Sequence, residues 1–517
     1  MIFDIAIIGF GVIGTESLYK ITKNLNKSDS IKIAIIERDI SKIPGGIAYS
    51  KENSKFGFFN NPLRLSNLEF IRWIKKKQNI NKLCTFIKEN KDFNLEGWLI
   101  KNKNFERKNI KKFDEIYLPR LTYSFFLEEK IKNIMKLTKN KKVVIKFYQS
   151  ELSDIEKKEN YLCKLNKTTK EFKPKIVSGK VIFQKIKNKN NRFVKSKSII
   201  LGNGILPPKA IYGKNHFNNN NYIWDFYAEG GTLNLINKIN KIKDKKKKIK
   251  IIFIGNKAGL LETMPELENF ISNNVINIDI ISIAPSRLSL EKAEQSKLFN
   301  YFKFKFLIEK NIKGIEKSNK ILELLKKEFN LAKKNGFNRY DVWTWVLKKK
   351  LISKCYNKLS ASEQKKYNEF TFPLIRNITR YTYPSTIYSK KRLEKKKILT
   401  FIKDKVEKLE KFKKYIKIKT VNGLTRSADI VVNVSGPVNL EKISKESTFI
   451  SSLKNIFDNY NYRGFIVDKD FCIGQNIYAP GTISSNFNPN RLTIINAVTQ
   501  NSHKACNKIL KVFKTKS

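Results

Sequence analysis

The chain has 517 residues, more than one ordinary core accommodates, so roughly two or three domains are expected. Lys and Arg number 104 against 46 Asp and Glu, a formal charge of +58, but the lysines are spread along the whole chain and form neither an arginine-rich arm nor a basic helix interleaved with aromatics. The charge therefore reads as a global bias of composition, and no nucleic-acid partner is expected.

Five cysteines (Cys84, Cys163, Cys355, Cys472, Cys506) lack CxxC spacing, and the only histidines are His216 and His503, so no zinc or iron centre is expected and neither histidine is given a catalytic role. No apolar run reaches membrane-spanning length and no basic segment precedes the first strand, so no membrane association is expected. The cysteines read as small buried hydrophobes in a reducing, cytoplasmic setting.

Asp4–Ile8 is an apolar run that reads as a buried strand. It leads into Gly9-Phe10-Gly11-Val12-Ile13-Gly14 and then into a helical pattern through Thr15, Glu16, Ser17, Leu18 and Tyr19. A second apolar run, Ile31–Ile36, ends on Glu37. Together these make a βαβ unit with the dinucleotide fingerprint inside it. Gly9 allows the tight turn, Gly11 lets a pyrophosphate approach the backbone, and Gly14 lets the helix pack on the strand. Glu37 is placed to accept both hydroxyls of an adenosine ribose.

Beyond it, Ile43–Ser50 reads as a glycine-rich loop, and residues 67–113 are mixed helical and charged. Leu118-Pro119-Arg120-Leu121 precedes a helix carrying Tyr123, Phe126, Leu127 and Ile131. Val143–Phe147 is a strand, and residues 150–195 read as a β-meander. Ser198–Leu201 is a buried strand ending in Gly202-Asn203-Gly204.

A second Rossmann-like start follows: Ile249–Ile254, then Gly255-Asn256-Lys257-Ala258-Gly259, then Ile278–Ile283 and Ser286-Arg287. Residues 290–370 are mostly helical, with Trp343 and Trp345 read as core. Ile375–Pro384 interrupts that pattern, residues 410–435 return to strands, and Asn476–Gly481 precedes a closing helix from about Leu492 to Phe513.

The layout is that of an α/β protein: a Rossmann-like domain of residues 1–205 and 428–517, an inserted second nucleotide-type domain of residues 206–289 and 385–427, and a mostly helical insertion over 290–384. A discontinuous arrangement of this kind suits a flavoprotein, in which the cofactor carries the redox step and the protein needs few reactive side chains.

Several stretches in order also resemble FAD/NAD(P)-binding proteins of the class that includes FAD-dependent urate hydroxylase and its uncharacterised bacterial relatives, and more distantly the N-hydroxylating flavin monooxygenases. They are Asp4–Gly14, Gly46-Ile47-Ala48-Tyr49-Ser50, Phe59-Asn60-Asn61-Pro62, Pro119-Arg120 with the Tyr123–Leu127 helix, Leu201–Gly204 and Ala428–Pro437. The resemblance implies FAD in the first domain, with Gly202, Gly436 and Gly481 near it, and a pyridine nucleotide, NADPH, at Gly255. In the second start Lys257 stands at the middle glycine position, and Glu262 stands where an acidic residue often follows.

Arg120 either faces the flavin or its phosphates or is a surface arginine at a helix start. Asn60 either bonds the flavin ring or forms a turn. Arg287 suits the 2′-phosphate of NADPH, against a solvated charge. Arg376 and Arg380 share a face if their stretch is helical, and suit an anionic substrate or ion pairs within the insertion. The function expected is an FAD-dependent oxidoreductase, a monooxygenase using NADPH and O₂ on a small polar substrate. The alternatives are a flavin reductase or dehydrogenase that does not activate oxygen, and an RNA-associated flavoprotein or flavin-folded binding module. No catalytic side chain is assigned.

Overall fold

The computed structural model of the chain describes residues 1–51, 57–90, 93–102, 113, 115–139, 141–166, 169–188, 192–204, 206–208, 211, 221–244, 246, 248–256, 258–274, 277–287, 303–379, 381–437, 440, 448–461, 464–484 and 494–514. Its largest sheet is built around Ile2–Ile8, flanked in parallel by Ser30–Glu37 and Phe193–Leu201. Lys142–Gln149 extends it in parallel on one side and Ile477–Tyr478 on the other. An antiparallel hairpin, Lys170–Val177 with Lys180–Asn188, completes one edge.

Ile5, Ala6, Ile7 and Ile8 are all buried, as the strands of a sheet covered on both faces must be. Ile5 and Ile7 pack with Ile21, Ile131 and Ile509 of the helices Val12–Asn24, Leu121–Lys139 and Ile494–Lys514. Ala6 and Ile8 pack with Leu152 and Ile155 and with Leu453 of the helix Thr448–Ile456.

The second sheet is wholly parallel, in the order Leu399–Lys403, Asn277–Ala284, Lys248–Ile254, Ile430–Asn433, Tyr222–Ile223. One face carries Leu235, Leu260 and Met264, and the other is covered by Leu409, Ile416 and Ile418 of a small antiparallel sheet. Ile430–Asn433 corrects the expected boundary at residue 428. Val431–Asn433 pair with Ile252–Ile254, so this strand belongs to the second sheet rather than the first. Its apolar composition suits either sheet, and only the long-range pairing decides.

Residues 303–378 form the helical piece, with Trp343 and Cys355 in its core and Trp345 packed against it. Fully buried Glu328 ties its entry down by accepting the backbone N–H groups of Lys305, Phe306 and Leu307 at 3.0, 2.9 and 2.8 Å. Tyr340 of this piece packs with Leu65 and Tyr117 of the first unit. The four cysteines Cys84, Cys163, Cys355 and Cys506 are buried thiols. Among the described residues no helix is long and apolar enough to cross a membrane, and no cluster could hold a metal ion. His216 lies outside the described residues.

Four helices of the first unit, Val12–Asn24, Leu68–Ile74, Leu121–Lys139 and Ile494–Lys514, meet at a charge cluster around buried Lys130. The Lys130 ammonium donates to Glu16 Oε2 at 2.7 Å and Glu69 Oε2 at 2.8 Å, and it lies 4.9 and 4.8 Å from the Tyr19 and Phe126 ring centres. His503 Nε2 lies 3.4 Å from the same Glu16 oxygen. Burial alone would raise the Glu16 carboxyl, but His503 and the Lys130 charge outweigh it and hold it below the usual carboxylate range. Its stabilisation is therefore present above the unfolded-state value and lost as pH falls through the lower folded-state value. Lys130→Met, which strands that carboxylate, should cost about 3–5 kcal/mol at neutral pH in chemical denaturation. It should also remove the acid limb of stability that Glu16 contributes.

Candidate functional site

Three glycine-bearing segments converge at the carboxyl ends of the first sheet's central strands. Gly9 follows Ile2–Ile8 with φ +87°, and its N–H donates to Ile36 O at 2.8 Å. A Cβ there would lie 2.5 Å from the Gly202 carbonyl oxygen, and one on Gly202 would lie 2.7 Å from Gly9 O. A Cβ on Gly14 would come within 2.3 Å of Gly9 O, so the helix Val12–Asn24 sits directly on the turn. The third segment is Pro480-Gly481-Thr482. The Thr482 hydroxyl donates to Gly204 O at 2.6 Å, and a Cβ on Gly481 would lie 2.7 Å from Ile13 Cδ1.

The helix that starts here is built to face an anion. Gly11 at its N-cap supplies no side-chain hydrogen bond, and its first turn has no acidic residue. Its leading N–H groups and the positive end of its dipole are left for a ligand. Gly11 faces a second glycine pair: its Cβ position is 3.5 Å from Gly45 O, and that of Gly46 is 3.0 Å from Gly11 Cα. Gly45 and Gly46 have φ +101° and +62°. In the sequence Ile43–Ser50 reads as a loop outside the site, whereas Gly46–Tyr49 is a turn of helix with Gly45 at its N-cap. The tandem glycine after Glu37 was the signal available.

Glu37 closes the cradle. Its Oε2 accepts the Phe10 N–H at 2.6 Å and its Oε1 accepts the Asp39 N–H at 3.0 Å. Each oxygen keeps a lone pair for a further donor. Burial raises the carboxyl above its ordinary value, only partly offset by the bonds from Asp39 and Phe10.

The second sheet repeats the device. Gly255, with φ +106°, donates its N–H to Ile283 O at 2.8 Å, and a Cβ there would lie 2.7 Å from Val434 O. A Cβ on Gly259 would be 2.6 Å from Val434 Cγ1, so the helix Ala258–Asn274 also sits tight on its strand. Gly436, expected beside the first cradle, follows the second-sheet strand Ile430–Asn433 instead, because that strand pairs with Lys248–Ile254. Lys257 lies outside the described residues.

Arg287 follows Asn277–Ala284 as expected, but its Nη2 is 2.8 Å from Glu394 Oε1 of the helix Pro384–Lys395. No acid ends that strand, and the acid arrives instead from a distant element. Arg376 lies in the helix Phe372–Ile378, and Arg380 is outside the described residues.

Arg120 and Asn60 meet at the junction of the two units. Arg120 donates to Glu262 Oε2 at 3.1 Å and Oε1 at 2.5 Å. Glu262 stands on the helix that follows Gly255. Asn60 Oδ1 accepts the Thr382 hydroxyl at 3.1 Å. A narrow cleft here is lined by Gly57, Phe58, Asn60, Glu262, Thr382 and Tyr383. Neither partner, Glu262 nor Thr382, was assigned a contact from the sequence, since nothing local pairs positions so far apart.

The cradle sets a stability prediction. Gly45→Ala should cost about 1–3 kcal/mol from its left-handed φ alone. The added Cβ, 2.4 Å from Tyr49 O, makes that a lower bound. Chemical denaturation without added cofactor measures it.

Residues 6–177 match the model of a family described as FAD-NAD(P)-binding. No curated protein matches the sequence. Among solved structures, the chain is similar to the FAD-bound cadaverine monooxygenase of desferrioxamine biosynthesis from Erwinia amylovora, with a TM-score of 0.51 and 12% identity, covering 100% of this chain and 95% of that one. It is also similar to the reduced ornithine hydroxylase of Pseudomonas aeruginosa, with a TM-score of 0.48 and 10% identity over 99% of this chain and 100% of that one. At these identities the likeness is one of fold. The N-terminal unit is an FAD/NAD(P)-binding domain within a two-sheet Rossmann-like α/β architecture.

Proposed function

We propose that the protein is an FAD-dependent oxidoreductase, and specifically a monooxygenase that uses NADPH and O₂ on a small polar substrate. The observation that carries the reading is the cradle itself. An uncapped helix N-terminus, the close-packed Gly9 and Gly14, and a half-buried Glu37 at the end of the neighbouring strand lie within residues 6–177, which match the FAD-NAD(P)-binding family, and Gly202 packs on Gly9 from beyond that stretch. These residues fit FAD. The pyrophosphate would lie against Gly11 and the helix N–H groups, and the adenosine ribose would donate to the free lone pairs of Glu37. Bound FAD would supply the redox chemistry: acceptance of hydride from NADPH and reaction with O₂.

The protein's own part is to bind, orient and shield. The Glu37 carboxylate holds the Phe10 N–H and so shapes the turn that would receive the phosphates. Asn60 and Arg120 would border the flavin from the junction side, Arg120 sharing its charge with Glu262. The second glycine turn, at Gly255, would receive NADPH, with Arg287 exchanging Glu394 for the 2′-phosphate. The substrate would enter the junction, where Phe58 and Tyr383 stack at 4.2 Å. The finer likeness to urate hydroxylase rests on the sequence segments, while the fold neighbour from Erwinia amylovora supports the N-hydroxylating branch.

Purified protein should be yellow or take up FAD on titration, be reduced anaerobically by NADPH faster than by NADH, and then consume O₂ with little peroxide when a substrate is present. Protein that binds no FAD sinks the proposal. Flavin reduction followed only by peroxide release, whatever the substrate, would favour the reductase alternative. Gly11→Val should abolish FAD binding, because its side chain would reach into the space between Gly11 and Gly45.

Glu37→Ala should weaken FAD by about 1–3 kcal/mol. The ribose needs an ionised acceptor and the folded-state value is raised. Wild-type affinity should therefore begin to fall while the pH is still above the ordinary carboxylate range, a slope that Glu37→Ala lacks. Titration of FAD against pH in both proteins reads this directly. Arg287→Ala should narrow the NADPH-over-NADH gap in reduction rate by about 1–3 kcal/mol. Equal rates in the wild type would remove Arg287 from the site.

A further inference from the structure

We infer that Arg120 and Glu262, together with the strap of residues 381–386, form a latch that closes the second nucleotide unit and the helical piece over residues 57–60. A dinucleotide can reach Arg120 only when this latch opens. The latch stands on its own contacts; only the second clause rests on the flavin reading above.

Arg120 is aimed at the junction by its backbone. Its N–H donates to Gly57 O at 2.8 Å, Phe59 N–H donates to Leu118 O at 3.0 Å, and Phe58 bridges Pro119. Gly57 makes room for the guanidinium: a Cβ there would lie 3.3 Å from Arg120 Cζ. Both Arg120 Nη atoms bond Glu262, and the side chains are only 11% and 14% exposed. Arg120 belongs to the first unit, and Glu262 rides on the helix Ala258–Asn274 of the second.

The strap, which leads from the helical piece into the helix Pro384–Lys395, grips the same short segment. Thr382 bonds Asn60, and the Tyr383 ring stacks on Phe58 at 4.2 Å and leans on Tyr117 at 5.7 Å. Pro265 and Thr386 complete the lining between them. Three parts of the chain thus close on and beside residues 57–60 through an ion pair, a hydrogen bond and an aromatic stack, of which the two polar contacts are strong in a dry junction and weak once water enters. Such a contact has two states, shut and open, rather than a continuum. In the closed state Arg120 shares its charge with Glu262, and a Glu262 left beside it would repel an anionic ligand, so closure and anion entry compete.

The test uses the full-length protein freed of flavin, in four forms: wild type, Glu262→Gln, Thr382→Val and the double variant Arg120→Gln/Glu262→Gln. Hydrogen exchange of the Phe59 and Arg120 amides reads the latch, and stopped-flow quenching of FAD fluorescence reads ligand entry. Glu262→Gln should exchange these amides about tenfold faster than wild type, and Thr382→Val by less. FAD uptake by Glu262→Gln should be several-fold faster than by the wild type, and because the pair is enclosed added salt should narrow that difference only slightly.

The double variant replaces the ion pair by two neutral amides. It should stay folded and exchange faster than wild type, so a failure of Glu262→Gln to fold leaves the question decidable. Unchanged exchange in every variant overturns the latch. Faster exchange with unchanged FAD uptake overturns its role in entry. If no form binds FAD, the exchange result still decides the latch, while the flavin reading fails by itself.

Discussion

The fold hangs on a place where two backbones touch. Gly9 and Gly202 end adjacent parallel strands, and each carbonyl occupies the space a Cβ on the other would need. Gly14 brings the first helix onto the same point. No other residue type satisfies this geometry, because the clash is with backbone atoms that cannot move without breaking the ladder. The contact draws the carboxyl ends of the strands together and leaves the uncapped helix N-terminus pointing across them. In open parallel sheets that is where ligands sit. The second sheet repeats the arrangement with Gly255 against Val434 and Ser435. The chain therefore carries two cradles of one design, and the junction between them is where groups bound to each would meet.

What the protein contributes at these cradles is shape and field rather than a reactive side chain. Glu37 spends its first hydrogen bonds on the Phe10 and Asp39 N–H groups, so it is positioned before any ligand arrives. That costs less ordering at binding than a free carboxylate would. The two arginines expected to meet cofactors differ sharply in setting. Arg120 is enclosed and held bidentately, whereas the Arg287 side chain is 62% exposed beside Glu394. Removing one partner costs far more in the first setting, which strands a desolvated charge, than in the second, where water screens what is left. The junction is thus stiffened at Arg120, while Arg287 can exchange partners at little cost.

How much of this was legible in the sequence follows from the range of each signal. The first βαβ unit was readable because turn glycines, an apolar strand and a terminal Glu37 fall within one short window. The second glycine turn was readable for the same reason, as was the closing helix, whereas the strands of 150–195 form two separate hairpins on different neighbours rather than a meander, because alternation marks a strand but not its partner. Ile430–Asn433 went to the wrong sheet because apolar composition marks a strand but not its neighbour, and its neighbour lies at Lys248–Ile254. Gly436 went with it. Arg120 and Asn60 were picked out, yet their partners Glu262 and Thr382 lie 142 and 322 positions away and carry no local mark. Arg287 was read as facing no acid because Glu394 comes from a helix 107 positions on.

The charge of the chain bears on those partners. Cations outnumber anions 104 to 46, so any carboxylate in the interior had an excess of lysines from which to find a partner. Simple attraction would then have produced diffuse surface pairing. The carboxylates that matter are instead held in specific places. Glu16 is fixed by Lys130 between two helices, and Asp429 by Lys246 and the Lys250 N–H at a strand start. Glu328 is held by three backbone N–H groups, and Glu262 by both arms of one arginine. Burial makes the difference. An exposed lysine offers a screened charge worth little, whereas a buried carboxylate without a well-placed donor carries the full cost of desolvation. The basic excess is thus spread over the solvated surface, and the few buried acids determine how the helices, sheets and domains meet.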